Sequence, residues 1–62
     1  MIELHCINGK VINISKAHCT ITLSGGAEIE YTDEDVSGVE VGGIYSFEVT
    51  PKNFLVDYRR IK

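Results

Sequence analysis

The stretch Cys19-Thr20-Ile21-Thr22-Leu23-Ser24-Gly25-Gly26-Ala27-Glu28-Ile29-Glu30-Tyr31 alternates apolar and polar residues on both sides of a Ser-Gly-Gly turn. Successive side chains of a β-strand point to opposite faces, so the alternation predicts a hairpin with one buried and one wet face. A three-residue loop at Ser24-Gly25-Gly26 pairs Leu23 with Ala27, Ile21 with Ile29 and Cys19 with Tyr31. A two-residue loop would set Leu23 against Glu28, and a slip of one residue turns every side chain to the wrong face. The three-residue loop also ends on a left-handed residue, a conformation Gly26 adopts without steric cost.

Working towards the N-terminus, a loop at Ser15-Lys16-Ala17-His18 pairs Ile14 with Cys19 and Ile12 with Ile21. Asn8-Gly9 is a hairpin signal, and a loop Asn8-Gly9-Lys10 puts Cys6 opposite Ile12 and Leu4 opposite Ile14. The inner rows then read Cys6–Ile12–Ile21–Ile29 and Leu4–Ile14–Cys19–Tyr31. The outer rows read His5–Asn13–Thr20–Glu30 and Glu3–Ser15–His18–Thr32. A rival reading keeps residues 2–14 as one long strand, with Gly9 as a bulge that bends it from one sheet to another. Both readings stand at the level of sequence.

Towards the C-terminus, Asp33-Glu34-Asp35-Val36-Ser37-Gly38 reads as a loop with room for a helical turn. Val41-Gly42-Gly43 is a turn, and 44–50 is a strand with Tyr45, Phe47 and Val49 on one face. Pro51-Lys52-Asn53-Phe54 suits a type I turn with Pro51 second, pairing Val49 with Val56 and Phe47 with Tyr58. The last strand covers 55–61. The chain is therefore expected to be all-β, a single domain over residues 1–62 folded as a five- or six-stranded antiparallel β-barrel.

With 62 residues the core is small, and stability is expected to be about a few kcal/mol. The net charge of −3 argues against a general nucleic-acid coat, which carries a basic patch. Residues 33–48 hold Asp33, Glu34, Asp35, Glu40 and Glu48 with no cation. Residues 49–62 hold Lys52, Arg59, Arg60 and Lys62 against Asp57. Met1-Ile2-Glu3 runs straight into strand-like sequence without a leader pattern, and no apolar run is long enough to span a bilayer, so a cytoplasmic protein without a membrane partner is expected.

Little in the chain carries reaction chemistry. His5-Cys6 and His18-Cys19 resemble a metal set by composition, but neighbours on a strand face opposite ways, so the thiols are expected inside and the imidazoles outside. No metal or cofactor is expected, and no disulfide. No nucleophile–base pair is placed for catalysis, and the double glycines lack phosphate-cradling spacing, so the chain is expected not to be an enzyme. Asp33-Glu34-Asp35 reads as a solvated loop. Tyr45, Phe47, Phe54 and Tyr58 read as core and rim.

Several segments resemble the cold-shock branch of the OB-fold barrels over roughly residues 9–61. Gly9-Lys10-Val11 is similar to that family's opening strand. Lys16-Ala17-His18-Cys19-Thr20-Ile21 sits where its first ribonucleoprotein motif falls, and Ile29-Glu30-Tyr31-Thr32 where the second does. Val41 to Val49 is similar to its late Gly-x-x-Val-x-Phe-x-Val strand. The resemblance implies an OB-like barrel that binds single strands by stacking bases on outward rings, each ring worth about 1–3 kcal/mol. The corresponding positions here are Asn13, His18, Thr20, Glu30 and Thr32, which are all polar, and Glu30 carries the wrong sign for a phosphate backbone.

The expected function is thus a non-enzymatic binding module. It would be an adaptor or inhibitor that engages another protein through its polar outer sheet or an exposed strand edge, as an accessory protein of a phage or mobile element would. Its candidate binding residues are the outer-face His5, Asn13, His18, Thr20, Glu30 and Thr32. The alternative is a weak single-stranded nucleic-acid binder with phosphate contacts from Lys52, Arg59, Arg60 and Lys62. A homodimer stays open.

Overall fold

The computed structural model describes residues 3–32 and 36–62. The acidic run Asp33-Glu34-Asp35 lies outside the described residues. Five strands follow in chain order: β1 (His5–Ser15), β2 (Thr20–Leu23), β3 (Glu28–Glu30), β4 (Ile44–Val49) and β5 (Leu55–Arg60). They form one antiparallel sheet in the order β3-β2-β1-β4-β5. Its two ends approach through a single parallel bridge, Glu30 to Phe54, so the expected barrel is an open sheet stitched at one point. Among the described residues no helix is long and apolar enough to cross a membrane.

The Ser-Gly-Gly hairpin has the expected register. Ile21 faces Ile29, and the Leu23 amide donates to the Ala27 carbonyl at 2.8 Å. Gly25 and Gly26 have φ of 105° and 97°, where a side chain would be strained.

The N-terminal half settles on the long-strand reading. β1 runs unbroken through Asn8-Gly9, pairing with β4 from His5 to Lys10 and with β2 from Val11 to Ser15. The bulge lies between Val11 and Asn13, whereas Gly9 sits in regular register opposite Tyr45. Gly9 serves close approach: a Cβ there would lie 3.2 Å from Leu23 Cδ1. The bulge inserts one residue, which exchanges the two faces of the strand. Before it, Ile7 and Val11 turn inward; after it, Ile14 does. Leu4 and Ile12, expected inside, are 43% and 52% exposed.

The β1–β2 connection also differs from expectation. Ile14 faces Ile21 and Ser15 faces Thr20, so the turn is Lys16-Ala17-His18-Cys19 rather than Ser15 to His18. Cys19 closes it at φ 52°, a left-handed conformation that the sequence does not signal. Cys19 packs against the core, whereas Cys6 is exposed on the outer face, so only one of the two thiols turns inward.

In the C-terminal half, Phe47 faces Tyr58 as expected, but a bulge at Val56 in β5 sets Val49 opposite Leu55 instead of Val56. Leu55 is buried and Val56 exposed as a result. Tyr45, Phe47 and Val49 are fully buried with Val11, Ile21, Leu23 and Ile29, forming one core between the two arms of the sheet. The rings of Tyr45, Phe47 and Tyr58 stack with centroids 5.6 to 6.4 Å apart. The buried Tyr45 hydroxyl donates to the Gly38 carbonyl (3.1 Å) and accepts from the Glu40 amide (2.9 Å), which fixes the β3–β4 connection that carries the buried Val39.

Two expectations follow for urea unfolding. Ile21→Ala costs about 2–5 kcal/mol, while Thr20→Ala on the wet face costs about 1 kcal/mol or less; equal losses would invert the face assignment. Tyr45→Phe strips the part-buried Glu40 amide of its acceptor and leaves the Gly38 carbonyl without its donor, and costs about 1–3 kcal/mol. An unchanged midpoint would show that the hydroxyl does not hold the connection.

Candidate functional site

A hollow of about 580 Å³ opens where the β1–β2 turn, β3 and the β4–β5 turn converge. Ser15 and His18 enter from the β1–β2 turn, Thr20 from the start of β2, Glu28 and Glu30 from β3, and Lys52 and Asn53 from the β4–β5 turn. Strand alternation explains this gathering. Ile21 and Ile29 turn into the core, so their neighbours Thr20, Glu28 and Glu30 share the opposite face, where Thr20 stands opposite Glu30.

Short bonds fix the cleft walls. The Ser15 hydroxyl accepts from the His18 amide at 3.3 Å, and the Thr20 hydroxyl donates to the His18 carbonyl at 2.9 Å. Across the cleft, Asn53 holds the edge of β3. Its carbonyl accepts from the Glu30 amide (2.9 Å) and its Nδ2 donates to the Glu28 carbonyl (3.4 Å). It does so at φ 64°, a conformation that asparagine tolerates better than other side chains do. The turn before it is closed by the Asn53 amide on the Thr50 carbonyl (2.8 Å) and the Phe54 amide on the Thr50 hydroxyl (3.1 Å).

Of the candidate binding residues, His18, Thr20 and Glu30 line this cleft together. Asn13 and Thr32 are exposed but do not line it. His5 lies on the other arm, opposite Val49, and not in a row with Asn13 and Thr20. Ser15, expected on the outer face but not among the candidate binding residues, also lines the cleft, as do Glu28 and Asn53, which stood in neither outer row. The signal for Asn53 was present in Pro51-Lys52-Asn53, since an asparagine two residues after a turn proline suits a left-handed position.

The four candidate phosphate contacts are dispersed. Lys52 stands in the cleft beside two carboxylates. Arg60 binds Glu40 at 2.6 Å and lies 5.7 Å over the Tyr45 ring. Arg59 joins Cys6, Ser46, Glu48 and Asp57 around a second, smaller hollow of about 310 Å³. Lys62 joins its backbone to Ile44 at the end of the chain.

Chemically the cleft offers hydrogen-bond donors and acceptors, two carboxylates, one ammonium and the His18 imidazole, with no phenylalanine, tyrosine or tryptophan ring. Among the described residues no side-chain cluster is placed to hold a metal ion, and apart from the tyrosines no polar or charged side chain is buried. No family model matches the chain, and comparison with the curated proteins and with the solved structures finds no match either.

Asn53 gives this geometry a direct test. Asn53→Gly keeps the left-handed backbone and loses only the 3.4 Å side-chain bond, for about 0.5–1.5 kcal/mol. Asn53→Val forces a β-branched residue into that conformation and adds about 1–2 kcal/mol, read as a lower unfolding midpoint. Equal midpoints would mean that the turn does not depend on a left-handed residue.

Proposed function

We propose that the chain is a degenerate OB-like barrel that works as a non-enzymatic protein-binding module. Its strand order, with a parallel bridge from β3 to the residue before β5, supports the OB-like reading. OB-folds take their ligands on the strand 2–3 face between the first and last hairpin loops, and the cleft of Thr20, Glu30 and Lys52 lies there. The observation that carries the protein-binding reading is the chemistry of that cleft. Glu28 and Glu30 stand where a nucleic-acid binder needs cations and stacking rings. Two carboxylates with Ser15, Thr20 and Asn53 suit a polypeptide that brings amides and a basic side chain. As an adaptor or inhibitor the module needs no moving part and no cofactor.

A second reading, weak single-strand binding, draws on the position of the cleft and on Lys52, Arg59 and Arg60. Against it stand the pairing of Arg60 with Glu40 and the separation of Arg59 from Lys52 onto different hollows.

The discriminating experiment compares the parent protein with Glu28→Lys/Glu30→Lys. Affinity capture is expected to recover a stoichiometric protein partner with the parent and to lose it with the variant. Labelled single-stranded oligonucleotides are expected to leave anisotropy unchanged with the parent at low salt. Oligonucleotide binding that falls steeply with salt, as counterion release requires, would overturn the protein-binding reading in favour of the second.

A further inference from the structure

The two outer strand edges of this sheet, β3 and β5, carry groups that block pairing. Along β3, Asn53 takes the Glu28 carbonyl and the Glu30 amide. On β5, the Asp57 carboxylate accepts from the outward Tyr58 amide at 2.8 Å, and Arg59 and Arg60 charge that strand. Such devices keep an edge from pairing with another chain. A further edge belongs to the first half of β1, which from His5 to Gly9 carries no lysine, arginine or carboxylate.

The direction of its backbone groups follows from the ladder. The Val11 amide donates to the Gly43 carbonyl at 2.9 Å, so the odd residues of β1 exchange hydrogen bonds with β4. The amides and carbonyls of the even residues then point the other way. At Lys10 that side is taken, because the Ser24 amide donates to its carbonyl at 2.8 Å. At Cys6 and Asn8 no strand among the described residues covers it, since β2 pairs only from Val11 onward. The side chains of Leu4, Cys6 and Asn8 are exposed and uncharged, and neither proline nor bulge interrupts this part of β1.

We propose that this edge is a homodimer interface, in which Leu4 to Asn8 of two copies pair as antiparallel strands centred on Cys6. Self-pairing is favoured over a foreign strand by what the edge carries. Centring on Cys6 uses the backbone groups of Leu4, Cys6 and Asn8 twice over, for roughly six interchain hydrogen bonds, and keeps both chains clear of Ser24. Leu4 of each copy then lies against Asn8 of the other, and no charged side chain opposes its like, although the whole chain carries −3. No cationic or anionic side chain at Leu4, Cys6 or Asn8 selects a partner of opposite sign. The two sheets become continuous through β1, an isologous contact with two-fold symmetry. The interface lies apart from the cleft of Thr20, Glu30 and Lys52, so it stands or falls independently of the protein-binding reading.

The test is the solution mass of the full chain by sedimentation across a concentration series, with two double variants that address the register. Leu4→Lys/Asn8→Lys places like charges opposite each other at both ends of the pairing and is expected to weaken the dimer several-fold. Leu4→Lys/Asn8→Glu places opposite charges at the same points and is expected to recover it. Leu4 and Asn8 are both exposed, so each double variant should keep the parent's circular dichroism. In protein carrying Cys19→Ser, a short bis-maleimide is expected to join two chains through Cys6, whose Cα atoms would stand about 5.5 Å apart. A parent that stays monomeric to its solubility limit overturns the proposal. So does a dimer equally tight in both double variants, or one in which Cys6 does not cross-link.

Discussion

One inserted residue in β1 organises the molecule. β1 belongs to two ladders, pairing with β4 through its first half and with β2 through its second. A regular strand would present the same alternate residues inward throughout, and one of its two halves would turn its apolar residues outward. The bulge after Val11 exchanges the faces between the ladders, so Ile7 and Val11 pack inward on one arm and Ile14 on the other. Ile12, the residue at the bulge, is left in solvent. Val11 itself is fully buried and hydrogen-bonded to the Gly42-Gly43 turn, so the bend sits at the centre of the core.

The far ends of the two arms meet differently. A single asparagine in a left-handed turn receives the outer edge of β3, and the resulting joint forms one wall of the cleft. The site is therefore a by-product of how the sheet is stitched. Its polar character follows from the same alternation that fills the core, because every apolar residue turned inward on β2 and β3 leaves a polar neighbour facing the cleft.

Where alternation and a glycine turn coincided, the sequence was explicit: the β2–β3 hairpin register and the buried row of Tyr45, Phe47 and Val49 could be read from it directly. It misled at each position where a residue without a turn signature takes a special role. Cys19 closes a turn in a left-handed conformation that nothing about a cysteine announces, and Ile12 and Val56 are apolar residues expelled by bulges. Asn8-Gly9, a strong hairpin pair locally, is overridden because Gly9 is needed flat beneath Leu23. Half of the cleft was legible, since Thr20 and Glu30 follow from the hairpin. The contribution of Lys52 and Asn53 was not, because it depends on the β4–β5 turn folding back across the sheet.

The division of β1 between two ladders also orders the assembly of the chain in time. The partner of its second half begins at Thr20, whereas the partner of its first half, residues 44–49, lies far along the sequence. A growing chain can form the β1–β2–β3 meander from nearby residues. Contacts across such long separations are entropically costly and form slowly. Until β4 arrives, the first half of β1 has both backbone edges unpaired, and the fully buried Tyr45 and Phe47 that will complete the core are missing. The strand on which the finished fold turns is thus the last to gain all its partners, and the nascent protein is most exposed to mispairing along that same segment.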